Sequence, residues 1–160
     1  MNWREFAARA PELAARGESR FGHTDLVLVG TLRKDGWPRI SPVEPLLVDA
    51  ELLLGMTWRS RKALDLLRDP RLVVHSATGD RKGTEGDFKL YGRAVDVADP
   101  RMRRRYADAL EVKIGWRPKE PYHLFAVDIE SAAFVIFGQE RFGIRWSPAR
   151  GIERWAIPEA

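Results

Sequence analysis

The stretch WPRISPVEPLLV, residues 37–48, most constrains what this chain can fold into. Its valine, isoleucine and leucine content marks a strand, yet prolines stand at 38, 42 and 45. Proline has no N–H to give a sheet ladder, so this strand cannot be laddered on both sides along its length. It must bend or bulge, leaving backbone groups free to face something else. The run before it, DLVLVGTLRK, is strand-like and leads in through Asp35-Gly36, a dipeptide that favours a hairpin turn. After Asp49-Ala50-Glu51 the chain returns as LLLGMT, and a hairpin of residues 37–48 with 51–57 is expected.

The rest of the chain follows the same grammar. DPRLVVHSAT, FKLYGRAVDVA and YHLFAVDIESAAFVIFG read as strands, and RFGIRW and IERWAIP as two short terminal ones. GDRKGTEGD between them reads as a polar, glycine-rich loop. Helical spacing covers residues 1–22, where Pro11 opens a second helical piece. It recurs near 61–68 and near 100–114, the last started by Asp99-Pro100 and stopped by Gly115. The strand–helix alternation of a parallel doubly wound sheet is missing. The expectation is a mainly β, α+β chain: a six- to seven-stranded antiparallel barrel, closed or nearly closed, decorated by three helices. One domain over 1–160 is expected, with the barrel over 25–157.

Composition narrows the function classes. There is no cysteine, which excludes disulfides, thiolate zinc sites and a cysteine nucleophile. The three histidines, His23, His75 and His123, are too scattered to suggest a metal set, and none is expected. His75, sharing a face with Val73, reads as a core or rim histidine. No run approaches the length of a membrane span, and the charged N-terminal stretch lacks the apolar core of a signal peptide. A cytoplasmic protein without membrane contact is expected. The net charge of +4 permits an anionic partner. The run RMRRRY reads as a solvated helix face, with only Tyr106 to stack on a base, so no nucleic acid is expected.

Charge placement is more telling than its sum. In TWRSRKALDLLRDP, residues 57–70, Arg59, Arg61 and Lys62 crowd the start of a short helix, whose end is already positive. Ser60 is a candidate N-cap. Thr57, Ser60, Arg61 and Lys62 together offer two hydroxyls and two cations at a helix N-terminus, which suits a phosphate dianion. Arg39 and Ser41, on one face of the proline-bearing strand, fall near the level of residues 57–58 in the expected hairpin. Two basic, hydroxyl-bearing clusters would converge there.

The ordered set from LVGTLRKDGWPRISPVEPLLV through TWRSRKALDLLRDPRLVVHS to GDFKLYGRAVDV resembles the pyridoxamine 5′-phosphate oxidase-like family of flavin-binding split barrels. The resemblance covers residues 20–98 and is looser beyond. It implies a homodimer with FMN at the subunit interface. Arg39, Ile40, Ser41, Pro42 and Val43 would line the flavin and its ribityl phosphate. Met56 and Thr57 would meet the ring or ribityl chain, and Arg61 and Lys62 would hold the phosphate, with Ser60 capping the helix.

Departures from the family matter as much. Asp87 falls near a flavin-contacting glutamine of the true oxidases. Glu44 stands where they carry a lysine for the substrate phosphate, and their C-terminal Arg-x-His motif is absent from GQERFGIRW. The resemblance therefore implies an FMN-binding oxidoreductase acting on another small molecule. The opening FAARAPELAARGESRFGHTD also resembles relatives some of which use the deazaflavin coenzyme F-420, an alternative cofactor on the same fold. A non-catalytic basic binding protein is the alternative of another class. No catalytic residue is named, since a flavin carries its own redox chemistry. Trp116, Trp146 and Trp155 read as barrel-end or dimer-interface anchors.

Overall fold

Glu44 divides the proline-bearing stretch into two strands that pair with different partners. The computed structural model describes residues 1–159. In it, β1 (Val27–Leu32) and β2 (Pro38–Val43) pair antiparallel, from Val27↔Val43 to Leu32↔Pro38. β3 (Pro45–Val48) pairs instead with β4 (Glu51–Thr57), from Pro45↔Leu54 to Val48↔Glu51. Asp49 and Ala50 make the turn between them, at φ 57° and 102°, the left-handed backbone that tight hairpins use. The hairpin expected over the whole of 37–48 is thus corrected: only its second half pairs with β4. Pro42 and Pro45 bracket the break and supply no N–H to carry a ladder through it.

β5 (Arg71–Ser76), β6 (Asp87–Asp96), β7 (Tyr122–Phe137), β8 (Arg141–Ser147) and β9 (Gly151–Ala156) complete one antiparallel sheet. Its main path runs β2-β1-β5-β6-β7-β4-β3, with β8 and β9 extending from β7. The two ends of the path, β2 and β3, are joined in the chain by Glu44 alone. The sheet therefore curls until its edges are consecutive in sequence. Prolines sit on those edges, where a missing donor costs no ladder bond. Among the described residues nine strands form where six to seven were expected, because β2 and β3 separate and β8 and β9 lie off the seven-strand path.

Among the described residues four helices dress the sheet, where three were expected, because the N-terminal helical segment divides at Ala10 and Pro11. α1 (Trp3–Arg9) starts at a capping box between Asn2 and Glu5, and α2 (Pro11–Thr24) opens on proline. α3 (Arg61–Arg68) links β4 to β5. α4 (Pro100–Ile114) is capped by the Asp99 carboxylate, which accepts from the N–H groups of Arg101 and Met102, and it ends at left-handed Gly115.

α1 and α2 close the main core. Phe6, fully buried, lies 5.3 Å from Trp3 and 5.4 Å from Trp146 between ring centroids, both edge-on. Trp146, expected as a barrel-end or dimer-interface anchor, is thus a core residue buried beneath α1; Trp116 and Trp155 are half exposed. A second cluster packs Tyr106 and Leu110 of α4 on Leu46, Leu53, Tyr122 and Leu124. No helix among the described residues is long and apolar enough to cross a membrane.

Candidate functional site

The turn between β4 and α3 sets the site. Ser60 N–H donates to the Thr57 carbonyl at 3.0 Å, and Arg59 is held at φ 55°, left-handed backbone that a non-glycine residue adopts at some cost. Ser60 occupies the N-cap position, and its carbonyl accepts from Leu64 N–H at 3.0 Å. Its hydroxyl makes no capping bond: Oγ is buried without a partner, out of reach of the first-turn amides. The capping role expected of Ser60 is corrected accordingly. The first-turn N–H groups are left without a side-chain acceptor.

Beneath that turn lies a buried carboxylate. Asp65 of α3 accepts from Arg39 Nε at 2.7 Å, from Thr31 Oγ1 at 3.0 Å and from Arg68 Nη2 at 3.2 Å. Burial pushes its carboxyl up, but the hydrogen bonds from Arg39, Thr31 and Arg68 outweigh burial and hold it below the ordinary carboxylate value. Arg68 also donates to the Leu32 carbonyl. One side chain thus ties α3 to β1 and β2.

Around this network opens a cleft of about 530 Å³, lined by Arg33, Lys34, Arg39, Arg61 and Arg68 with Asp35 and Asp65. Arg33 pairs with Asp35 at 2.7 Å. Lys34 and Arg61 form no ion pair among the described residues. Five cations thus face two carboxylates, a surplus suited to an anion.

A second, larger cavity of about 720 Å³ has Lys62, the residue after Arg61, in its wall. Pro42, Val43, Met56, Thr57 and Lys62 line one part of it. Lys62 Nζ donates to the Pro42 carbonyl at 2.9 Å, covering a free edge acceptor of β2, and burial lowers its pKa. The rest of the wall is Glu44, Trp58, Tyr106, Trp116, Lys119 and Tyr122. Burial first, and the Glu44 charge second, keep the Tyr106 phenol protonated far above the ordinary range. A Cβ on Gly55 would lie 2.0 Å from the Tyr106 hydroxyl, so the glycine makes room for it. Trp58 stacks on His123 at 4.5 Å and 13°.

The expected residues therefore fall on two separate surfaces, with Arg61 on one and Lys62 on the other. Arg39 and Arg61 share the basic cleft, while Pro42, Val43, Met56, Thr57 and Lys62 share the cavity. Arg39 and Ser41 do lie on one half-buried face of β2, with Ile40 outward on the other. Ile40, Ser41 and Ser60 line neither surface, and Asp87 lines a separate cavity beside the loop 78–86. Sequence reasoning missed Asp65, whose signal was an acid on the apolar face of α3, three residues before Arg68. It also missed Tyr106, for which a glycine inside the strand LLLGMT was the sign of a close approach.

Solved structures resemble the chain over most of its length. A pyridoxamine 5′-phosphate oxidase-related, FMN-binding protein from Nostoc punctiforme superposes with a TM-score of 0.64 at 14% identity, covering 94% of this chain and 96% of its own. A Clostridium acetobutylicum protein related to general stress protein 26, of the pyridoxinephosphate oxidase family, gives 0.65 at 15%, covering 84% and 94%. A heme-binding protein from Mycobacterium smegmatis gives 0.61 at 18%, covering 89% of this chain; the chain spans 57% of that protein's length. No protein-family model and no curated protein sequence matches.

Proposed function

From the premise that this chain has the split-barrel fold of the pyridoxamine 5′-phosphate oxidase-like proteins, we propose that it is an FMN-binding oxidoreductase acting on a small molecule other than pyridoxamine phosphate. The observation that carries this reading is that a cation-rich cleft takes Arg61 of α3 into its wall and an aromatic cavity takes Lys62, the next residue. A flavin mononucleotide has the same two parts, a phosphate dianion and a flat apolar ring. The residues present fit it. Arg61 and Lys34 offer unpaired charge, Arg39 is already oriented by Asp65, and the open first-turn amides of α3 add donors for the phosphate. Pro42, Val43, Met56 and Thr57 would face the ring, with Lys62 between. Ile40 and Ser41 are assigned beside them on the strength of the resemblance.

When bound, FMN supplies a two-electron acceptor and donor. The chain's own part is to hold the phosphate by fixed charge and to shield the ring with Met56, Val43 and the surrounding aromatic groups. No histidine lines either surface, so a haem placed here would lack the histidine ligand of globins and peroxidases. In this reading the chain is a cytoplasmic homodimer with the cofactor at the subunit interface. The deazaflavin F-420 has the same charge requirement and remains the alternative cofactor.

Titration of purified protein with FMN, F-420 and hemin, followed by absorbance and flavin fluorescence, tests the reading. FMN is expected to bind saturably, and Arg61→Ala with Lys62→Ala to weaken it about 100-fold, two charge-assisted contacts at roughly 1.5 kcal/mol each. Saturable binding of F-420 alone shifts the assignment to the deazaflavin. Binding of hemin alone, or of nothing, overturns the flavin reading and, in the last case, favours a non-catalytic basic binding protein.

A further inference from the structure

The aromatic cavity has more wall than its cofactor end uses. Beyond Pro42, Val43, Met56, Thr57 and Lys62 stand Glu44, Trp58, Tyr106, Trp116 and Tyr122, together with Lys119. We propose that this second wall is a subsite for an aromatic organic cation, a planar ring system bearing a positively charged nitrogen, with Glu44 as its specificity-determining residue. As a substrate assignment this rests on the flavin reading above.

The chemistry of the wall favours that class. Tryptophan and tyrosine faces carry negative potential and attract a cation laid against them. Glu44 adds a full charge. It forms no ion pair among the described residues, and its backbone is pinned where β2 passes into β3. Its neighbour Tyr106 is a neutral phenol, so the two do not add a second negative charge to each other. Of the two ammonium groups, Lys62 is engaged with the Pro42 carbonyl at the cofactor end. Lys119, exposed between Pro118 and Pro121, is the group that opposes a cation. An anionic aromatic reverses both terms: Glu44 repels it and Lys119 attracts it. The signs of two substitutions therefore separate the classes.

The probes are N-methylquinolinium and its anionic counterpart 2-naphthoate, titrated by calorimetry into the protein with and without FMN. N-methylquinolinium is expected to bind at least about tenfold tighter than 2-naphthoate, the scale of one exposed charge pair on an aromatic platform. Glu44→Gln should remove that advantage, and Lys119→Ala should strengthen N-methylquinolinium binding. Equal or tighter binding of 2-naphthoate, or an unchanged N-methylquinolinium affinity in Glu44→Gln, overturns the proposal. The FMN titration of the same samples keeps the two readings apart. Wild-type protein that binds FMN but not N-methylquinolinium loses the subsite alone; protein that binds N-methylquinolinium but not FMN keeps the subsite and loses its assignment as a flavin substrate site.

Discussion

Gly55 is a strand residue whose missing side chain is a structural component. The Tyr106 hydroxyl occupies the space a Cβ would need, 2.0 Å away, and the buried ring cannot swing clear without leaving the second core cluster. Gly55→Ala is therefore expected to destabilise the protein by about 1–3 kcal/mol, the usual cost of overpacking. A urea melt read by far-UV circular dichroism measures it; an unchanged midpoint would show that Tyr106 has room to move. A glycine inside the strand LLLGMT is a sign of close approach, but it does not name the partner. Tyr106 lies on α4, and nothing in a sequence states which helix face meets which strand. His123 is the opposite case: a strand-entrance histidine in the sequence, it proves to be buried between Trp58 and Phe125, with Nε2 lacking a partner.

At the scale of elements, α3 is held to the sheet by Asp65 through Arg39 on β2 and Thr31 on β1. Its folded pKa lies below the ordinary 3.8, so its contribution is full above the unfolded value and is lost as pH falls through the lowered folded one. Asp65→Asn should cost about 1–3 kcal/mol near neutral pH, where it leaves Arg39 and Arg68 without their charged acceptor. The gap between the urea midpoints of wild type and variant should narrow as pH drops below that ordinary value. A gap that stays constant would mean that the charge of Asp65 contributes nothing. Local signals made much of this level legible. Asp99-Pro100 and Gly115 bound α4, and the proline-bearing stretch announced a strand that could not be laddered throughout. Where it breaks, at Glu44, was not legible, because the break depends on β1 and β4 competing for one strand from opposite sides.

For the molecule as a whole, the antiparallel barrel and its helices followed from turn spacing and strand composition, whereas the division of the site into a basic cleft and an aromatic cavity did not. That division is made by packing between residues far apart in the chain. The outer face of the first strands bears on assembly. Trp37 and Ile40 are 69% and 70% exposed, and Leu28 of β1 stands opposite Pro42 in the ladder, also outward. A second copy covering this face is the arrangement that accompanies the proposed interface cofactor. Sedimentation should show a dimer, and Leu28→Asp should shift it toward monomer while lowering FMN affinity. A wild-type monomer that binds FMN fully would remove the interface from the proposal.

β7 has a different consequence. It pairs with β4, β6 and β8 along its sixteen residues, and Leu53 waits for Ala126. During synthesis the chain emerges in order, so every earlier strand exists before the one that joins them. Until residues 122–137 are made, β4 and β6 each offer a bare row of amides and carbonyls to any neighbouring chain. Closure is then a late, long-range event, and such events are slow. The vulnerable species is the chain whose β6 has emerged and whose β7 has not, and a pause that holds it there keeps it at its most adhesive.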